Sequence, residues 1–138
     1  MKPILLITLL AAAGCRTVVD KHIERNSSEV YEIEKQHLAE LAPAYDTERL
    51  TALQALSQNK PFSPDMIETS KSIADKTAAG VAYRRQEAQL EAAEYRLVDA
   101  TQRLGPPYGK TAKEMELARQ SDEDERLIAA LKGAAAKQ

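Results

Sequence analysis

The 138-residue chain has no tryptophan, one phenylalanine, one cysteine and two histidines. A thin helical bundle with one Phe and no Trp has little material for the walls of a substrate pocket. A single cysteine excludes an internal disulfide framework. Two histidines leave Cys/His metal clusters and Ser-His-Asp catalysis with few residues to draw on. Neither sign of charge dominates, with 19 Lys and Arg against 21 Asp and Glu and a net charge of −2, so no basic field invites nucleic acid. Glycine is scarce at 5 residues, and there is no Asn-Gly or Asp-Gly dipeptide and no alternating apolar run to signal strands or hairpins. What the chain does have is alanine: 20 in the 124 residues after Gly14, beside 11 Leu, 5 Ile, 5 Val and one Phe. Such a composition predicts an all-α protein whose helices pack closely over a thin seam.

The densest apolar run is at the start. Lys2 precedes an uncharged stretch, Ile4 to Ala13, which falls short of the ~20 residues a spanning helix needs and fits a signal peptide. Its end, Ala12-Ala13-Gly14-Cys15, resembles the lipobox of bacterial lipoproteins. The resemblance implies cleavage between Gly14 and Cys15 and modification of Cys15 by a thioether-linked diacylglycerol. In many Gram-negative bacteria an amide-linked chain such as palmitate is added. Two or more acyl chains hold a protein stably on a bilayer, whereas one does not. Arg16, where an aspartate would imply retention at the inner membrane, implies an outer-membrane anchor facing the periplasm. The mature chain would carry a net charge of −3, with 18 basic residues once Lys2 is lost against 21 acidic.

Residues 1–14 are thus read as signal, 15–25 as a lipidated tether and 26–138 as one helical domain. Asn26 with Glu29 forms a capping-box pattern, and Val30, Ile33, His37 and Leu41 recur at helical spacing until Pro43, so a helix is expected at about 26–42. Asp46 reads as the next N-cap, with Leu50, Leu53 and Leu56 on one face of a helix at about 46–58. Ser63-Pro64-Asp65 supplies a cap, a first-position proline and a first-turn acid. No further proline follows until Gly105-Pro106-Pro107, which predicts one long central helix at about 64–104, straight or bent at Gly80. Along it Tyr83, Leu90, Leu97 and Leu104 fall seven apart with Ala79, Ala93 and Ala100 beside them, a seam either for a second chain or for an internal core. A second stripe, Ile67, Ala74, Val81, Ala88 and Tyr95, calls for another neighbour. Thr111 with Glu114 caps a last helix at about 112–132, ended by Gly133, although Arg119 to Arg126 holds no apolar residue. The architecture expected is an elongated helical hairpin or a three- or four-helix bundle built on the long central helix, or one strand of a coiled coil.

Chemistry-bearing motifs are few. Residues 105–111 read GPPYGKT, one residue short of a phosphate-binding loop, preceded by a helix and depleted of amides by two prolines, so no nucleotide is expected. This segment reads as an interhelical turn that could present Tyr108. His22 and His37 lack neighbours at metal-ligand spacing, Asp122 to Glu125 reads as a solvated acidic turn without the glycine of a calcium loop, and Arg84-Arg85 is too small a cluster to read lipid. No metal, cofactor or enzymatic activity is expected. The function expected is a lipid-anchored structural or interaction component of an envelope, secretion or conjugation assembly. Cys15 would anchor it in membrane lipid, and Tyr83, Leu90, Leu97 and Leu104 would meet another envelope protein or a second copy. The alternative is an exclusion, immunity or outer-spanin-like lysis lipoprotein of a mobile element.

Overall fold

A computed structural model describes the backbone of residues 2–102 and 111–137, and the side chains of residues 22, 23, 25–101 and 111–137. The chain is all-α. Four helices, α1 (Lys2–Ser57), α2 (Pro64–Asp75), α3 (Ala78–Gln102) and α4 (Ala112–Ala136), account for its order, with no strand among the described residues. Helix α3 runs antiparallel to α1, since Tyr83 lies on Tyr45 while Gln86 reaches back to Glu34. Helix α4 runs antiparallel to α3, with Arg119 meeting Glu94 and Arg126 meeting Tyr83. Helix α2 packs on both α1 and α3. The core between them is small: Leu38, Ala42 and Tyr45 from α1, Ala74 from α2, and Tyr83 and Leu90 from α3.

The two N-terminal helices expected at 26–42 and 46–58 are one. Helix α1 passes through Pro43 without ending, and Asn26 and Asp46 lie within it rather than capping anything. A proline inside a helix forfeits a backbone bond at a cost of about 3 kcal/mol. Here the carbonyl that loses its donor is that of Ala39, which like Pro43 is exposed and open to water. On the opposite face Leu38, Ala42, Tyr45 and Arg49 are buried on both sides of the proline, so packing along one continuous stripe offsets its cost. The helix stops where Gln58 and Asn59 turn left-handed, at φ 48° and 66°. The backbone of 15–25, expected as a tether, is helical and continuous with the rest of α1.

The inward stripe of α1 also differs in phase from the expected one. Tyr31, Leu38, Tyr45 and Arg49 face inward, while Ile33 is half exposed and His37 lies on the outer surface. The rotation is one residue, about 100°, and its reason is chemical. The true stripe includes Glu34 and Arg49, which a count of apolar residues passes over.

The long helix expected at 64–104 is broken into α2 and α3. Its start is as the sequence reads: the Ser63 hydroxyl accepts from Met66 N at 3.3 Å, with Pro64 at the first helical position. The break falls at Lys76–Thr77, where Lys76 N and Thr77 N bond back three residues to Ile73 O and Ala74 O. The Thr77 hydroxyl then donates to Ala74 O and accepts from Gly80 N at 3.0 Å, so it closes one helix and caps the next. Gly80 is not itself the bend but the residue that allows it. A Cβ there would stand 1.9 Å from the Ala74 carbonyl oxygen, so only glycine lets α3 leave α2 at this angle. A Thr-x-x-Gly sequence after the helical stretch is the local signal that marks the corner.

Helix α4 is one unbroken helix beyond Gly133, capped as expected by the reciprocal Thr111 and Glu114 bonds. Leu104, and all but Thr111 of the segment 105–111 expected as an interhelical turn presenting Tyr108, lie outside the described residues.

Candidate functional site

The interior where α4 meets the other helices is ionic. Its centre is a parallel stack of Tyr45 and Tyr83, ring centroids 4.4 Å apart and 6° from coplanar. The Arg84 guanidinium lies 5.0 Å from the Tyr45 ring centre, and that of Arg126 lies 5.8 Å from Tyr83, so each ring carries a cation. Glu123 of α4 enters this centre and is 2% exposed. Arg84 donates to both its oxygens, at 2.8 and 3.1 Å, and Arg49 of α1 stands 3.5 Å away.

The remaining valences of these groups are nearly all used. Arg84 also donates through Nε to Asp75 at 2.9 Å, through Nη1 to Glu87 at 3.1 Å and through Nη2 to the Tyr45 hydroxyl at 2.7 Å. That hydroxyl has Asp75 at 2.9 Å and Glu123 at 3.2 Å as acceptors for its own proton. Arg49 donates to Asp124 at 3.3 Å. Arg126 donates to Asp46 at 2.8 Å and to the Tyr83 hydroxyl at 3.0 Å. Arg119 is bound to Glu94 and lies 3.5 Å from Glu87. Of the run Asp122 to Glu125, expected as a solvated acidic turn, Asp122, Asp124 and Glu125 are exposed, but Glu123 is buried on the inner face of α4 together with Arg119. Arg119, Glu123 and Leu127 are its buried residues, four apart. That spacing, in a stretch without apolar residues inside an otherwise continuous helix, is the signal that could have revealed the layer.

Burial and partners set the protonation of these groups. Burial pushes the Tyr45 hydroxyl far above its ordinary 10.0, and the Glu123 carboxylate adds to it. The Tyr83 hydroxyl is also raised, by burial and against the pull of Arg126. Burial would raise Glu123, but the hydrogen bonds and charge of Arg84, with Lys71 and Arg49 behind it, hold it below its ordinary 4.5. The charges are thus fixed around neutrality, and what the layer can do is hold α4. Because the folded Glu123 binds its proton more weakly than the unfolded chain does, its contribution to stability is complete above 4.5 and is lost as pH falls through the depressed value. The urea midpoint is expected to decline from about pH 5 downward, and Glu123→Gln is expected to remove part of that slope.

Between α1, α3 and α4 lies a half-open cavity of about 360 Å³, with Leu38, Leu90 and Met115 among its apolar walls and Glu94 and Asp122 among its polar ones. Among the described residues no group of three or more His, Cys, Asp and Glu is arranged to hold a metal, and no helix is long and apolar enough to cross a membrane.

Of the residues singled out from the sequence, Tyr83 and Leu90 are buried against α1 and Leu97 is half-buried. In this fold the first two have no surface left for a second copy. The second stripe divides at the corner: Ala74 in α2 is buried in the core and Ile67 is half-buried, whereas in α3 Val81 is 49% and Tyr95 58% exposed, with Ala88 between them. Arg84 belongs to the ionic layer and Arg85 is exposed. Gly14 and Cys15 lie in the backbone of α1, and their side chains fall outside the described residues. Compared with known protein families, curated proteins and solved structures, the chain matches none.

Proposed function

We propose that the chain is a lipid-anchored helical lipoprotein of the bacterial envelope, a structural or interaction component of an envelope, secretion or conjugation assembly. In this reading the acylated Cys15 holds it on the outer membrane, facing the periplasm, and it recruits another envelope protein or a second copy of itself. The observation that carries the reading is the junction of Ala12-Ala13-Gly14-Cys15 with α1. After cleavage, Cys15 would be the first residue of a helix that runs without interruption into the bundle. Among the described residues, the first hydrophobic side chain of α1 that packs against the core is Tyr31. At 1.5 Å per residue the segment from Cys15 to Tyr31 is a rod of roughly 24 Å. It would stand the bundle off the bilayer by a set distance, as a piloting or bracing component needs and a flexible tether would not provide. The exposed Val81, Ala88 and Tyr95 face of α3 is the surface this reading assigns to a protein partner.

Cys15→Ser tests the anchor. Expected are loss of radiolabelled palmitate incorporation and movement of the protein from the membrane to the soluble fraction. Equal labelling and equal membrane association in the variant would overturn the reading.

A further inference from the structure

We propose that α4 is a strap, which leaves the body formed by α1, α2 and α3 as one unit while that body stays folded. The core belongs to the body. Its cluster of Leu38, Ala42, Tyr45, Ala74, Tyr83 and Leu90 is drawn from α1, α2 and α3 alone. Among the large apolar residues of α4 only Leu127 is buried, whereas Met115 and Leu131 are half-buried and Leu117 and Ile128 lie half exposed. Helix α4 packs on α1 and α3, and α2 packs on those same two helices without packing on α4.

What holds α4 is the ionic layer. Arg119 meets Glu94, Glu123 meets Arg84 and Arg49, and Arg126 meets Asp46, each pair crossing from α4 to α1 or α3. For such pairs the loss of hydration offsets most of the attraction. Removing one partner strands the other, but when α4 leaves, both partners return to water together. The layer therefore fixes where α4 sits more than it adds to the free energy of leaving. Apolar burial carries no such offset, and it is what joins α1 to α3. The seam under α4 is also incompletely filled, with a half-open cavity of about 360 Å³ between it and the two helices. Atoms facing that space lack the dispersion contacts of a closed core. Off the body, a helix of 25 residues is marginal in water even with its Thr111–Glu114 cap, so its amides lose protection as a group.

Hydrogen exchange of the full-length protein in phosphatidylcholine nanodiscs tests the strap, read peptide by peptide by mass spectrometry through a series of urea concentrations below the unfolding midpoint. Peptides from residues 115–132 are expected to exchange together, about tenfold or more faster than those from 38–53 and 83–93, and to accelerate with urea along one common slope. Rates that rise toward the C-terminus without dependence on urea would mean fraying of the helix end and would overturn the proposal. So would protection of α4 equal to that of α1 and α3. Ile67→Ala supplies the second measurement. It trims α2, which stays in the body whether α4 is on or off, so the two states lose the same stability. Exchange of α1 and α3 is expected to quicken by roughly tenfold while α4 keeps its rate. Equal acceleration of all the helices would mean a single cooperative unit and no strap. The urea series in the unaltered protein decides the question even if Ile67→Ala does not fold.

Discussion

Glu123→Ala is expected to destabilise the protein by about 3–5 kcal/mol, the cost of removing one partner from a buried ionic network and leaving the others uncompensated. For a domain of this size that corresponds to a fall in melting temperature of roughly 10–15 °C. The carboxylate has Arg84 bound to both oxygens and Arg49 beside it, and the Arg49 side chain is itself only 2% exposed. With Glu123 gone, Arg49 keeps only Asp124, whose side chain is 65% exposed and mostly solvated. The Tyr45 hydroxyl loses one of its two acceptors at the same stroke. The double variant Arg49→Met with Glu123→Leu is expected to recover much of the loss, because it removes both buried charges instead of stranding one. Urea unfolding followed by circular dichroism measures both. A change under 1 kcal/mol in Glu123→Ala would show that α4 is held by something other than this layer.

Gly80→Ala separates local propensity from tertiary geometry by sign. In the interior of a helix the change from glycine to alanine stabilises by up to ~1 kcal/mol. At this corner the added methyl would lie 1.9 Å from Ala74 O and 2.7 Å from Asp75 Cα, and both are backbone atoms that cannot rotate aside. The hinge between α2 and α3 would have to open, drawing Ala74 away from the core cluster it shares with Tyr83. Expected is a destabilisation of about 3 kcal/mol, at the upper end of the cost of overpacking. Gly133→Ala is the control. Nothing lies within 4 Å of a Cβ at that position, and there the helix-propensity gain is expected with its ordinary sign. Stabilisation at both glycines would mean that α2 and α3 join in solution as one helix.

The elements that were legible in the sequence are those whose cause is local. Ser63-Pro64 starts α2 and the Thr111–Glu114 pair starts α4 because a cap needs only residues within one turn of each other. The seam of Tyr83 and Leu90 was legible as a periodicity, but not what it faces. A heptad stripe reads the same whether its partner is another chain or another part of this one. The errors share one origin. Pro43 was read as a stop because its cost is local, whereas its compensation comes from buried residues on both sides of it packed against other helices. Asp46 reads as a cap, and Arg49, Glu94, Arg119 and Glu123 read as solvated, because polarity is locally a sign of solvent; only pairing between residues 25 to 80 positions apart draws them to the interior.

By itself, then, the sequence determined that the chain is helical, where two of its helices begin, and that its first residues resemble a lipoprotein signal. Backbone propensity, capping and short apolar runs act over a few residues and need no fold to be read. The tertiary structure decided that α1 is one helix, that the central helix turns at Thr77 with Gly80 as the clearance, and that the chain makes up for its lack of large apolar residues with arginine, carboxylate and tyrosine. The physical reason is that a charge belongs in the interior only when its counter-charge is already there. That counter-charge lies on another helix, and its position is a property of the packed molecule.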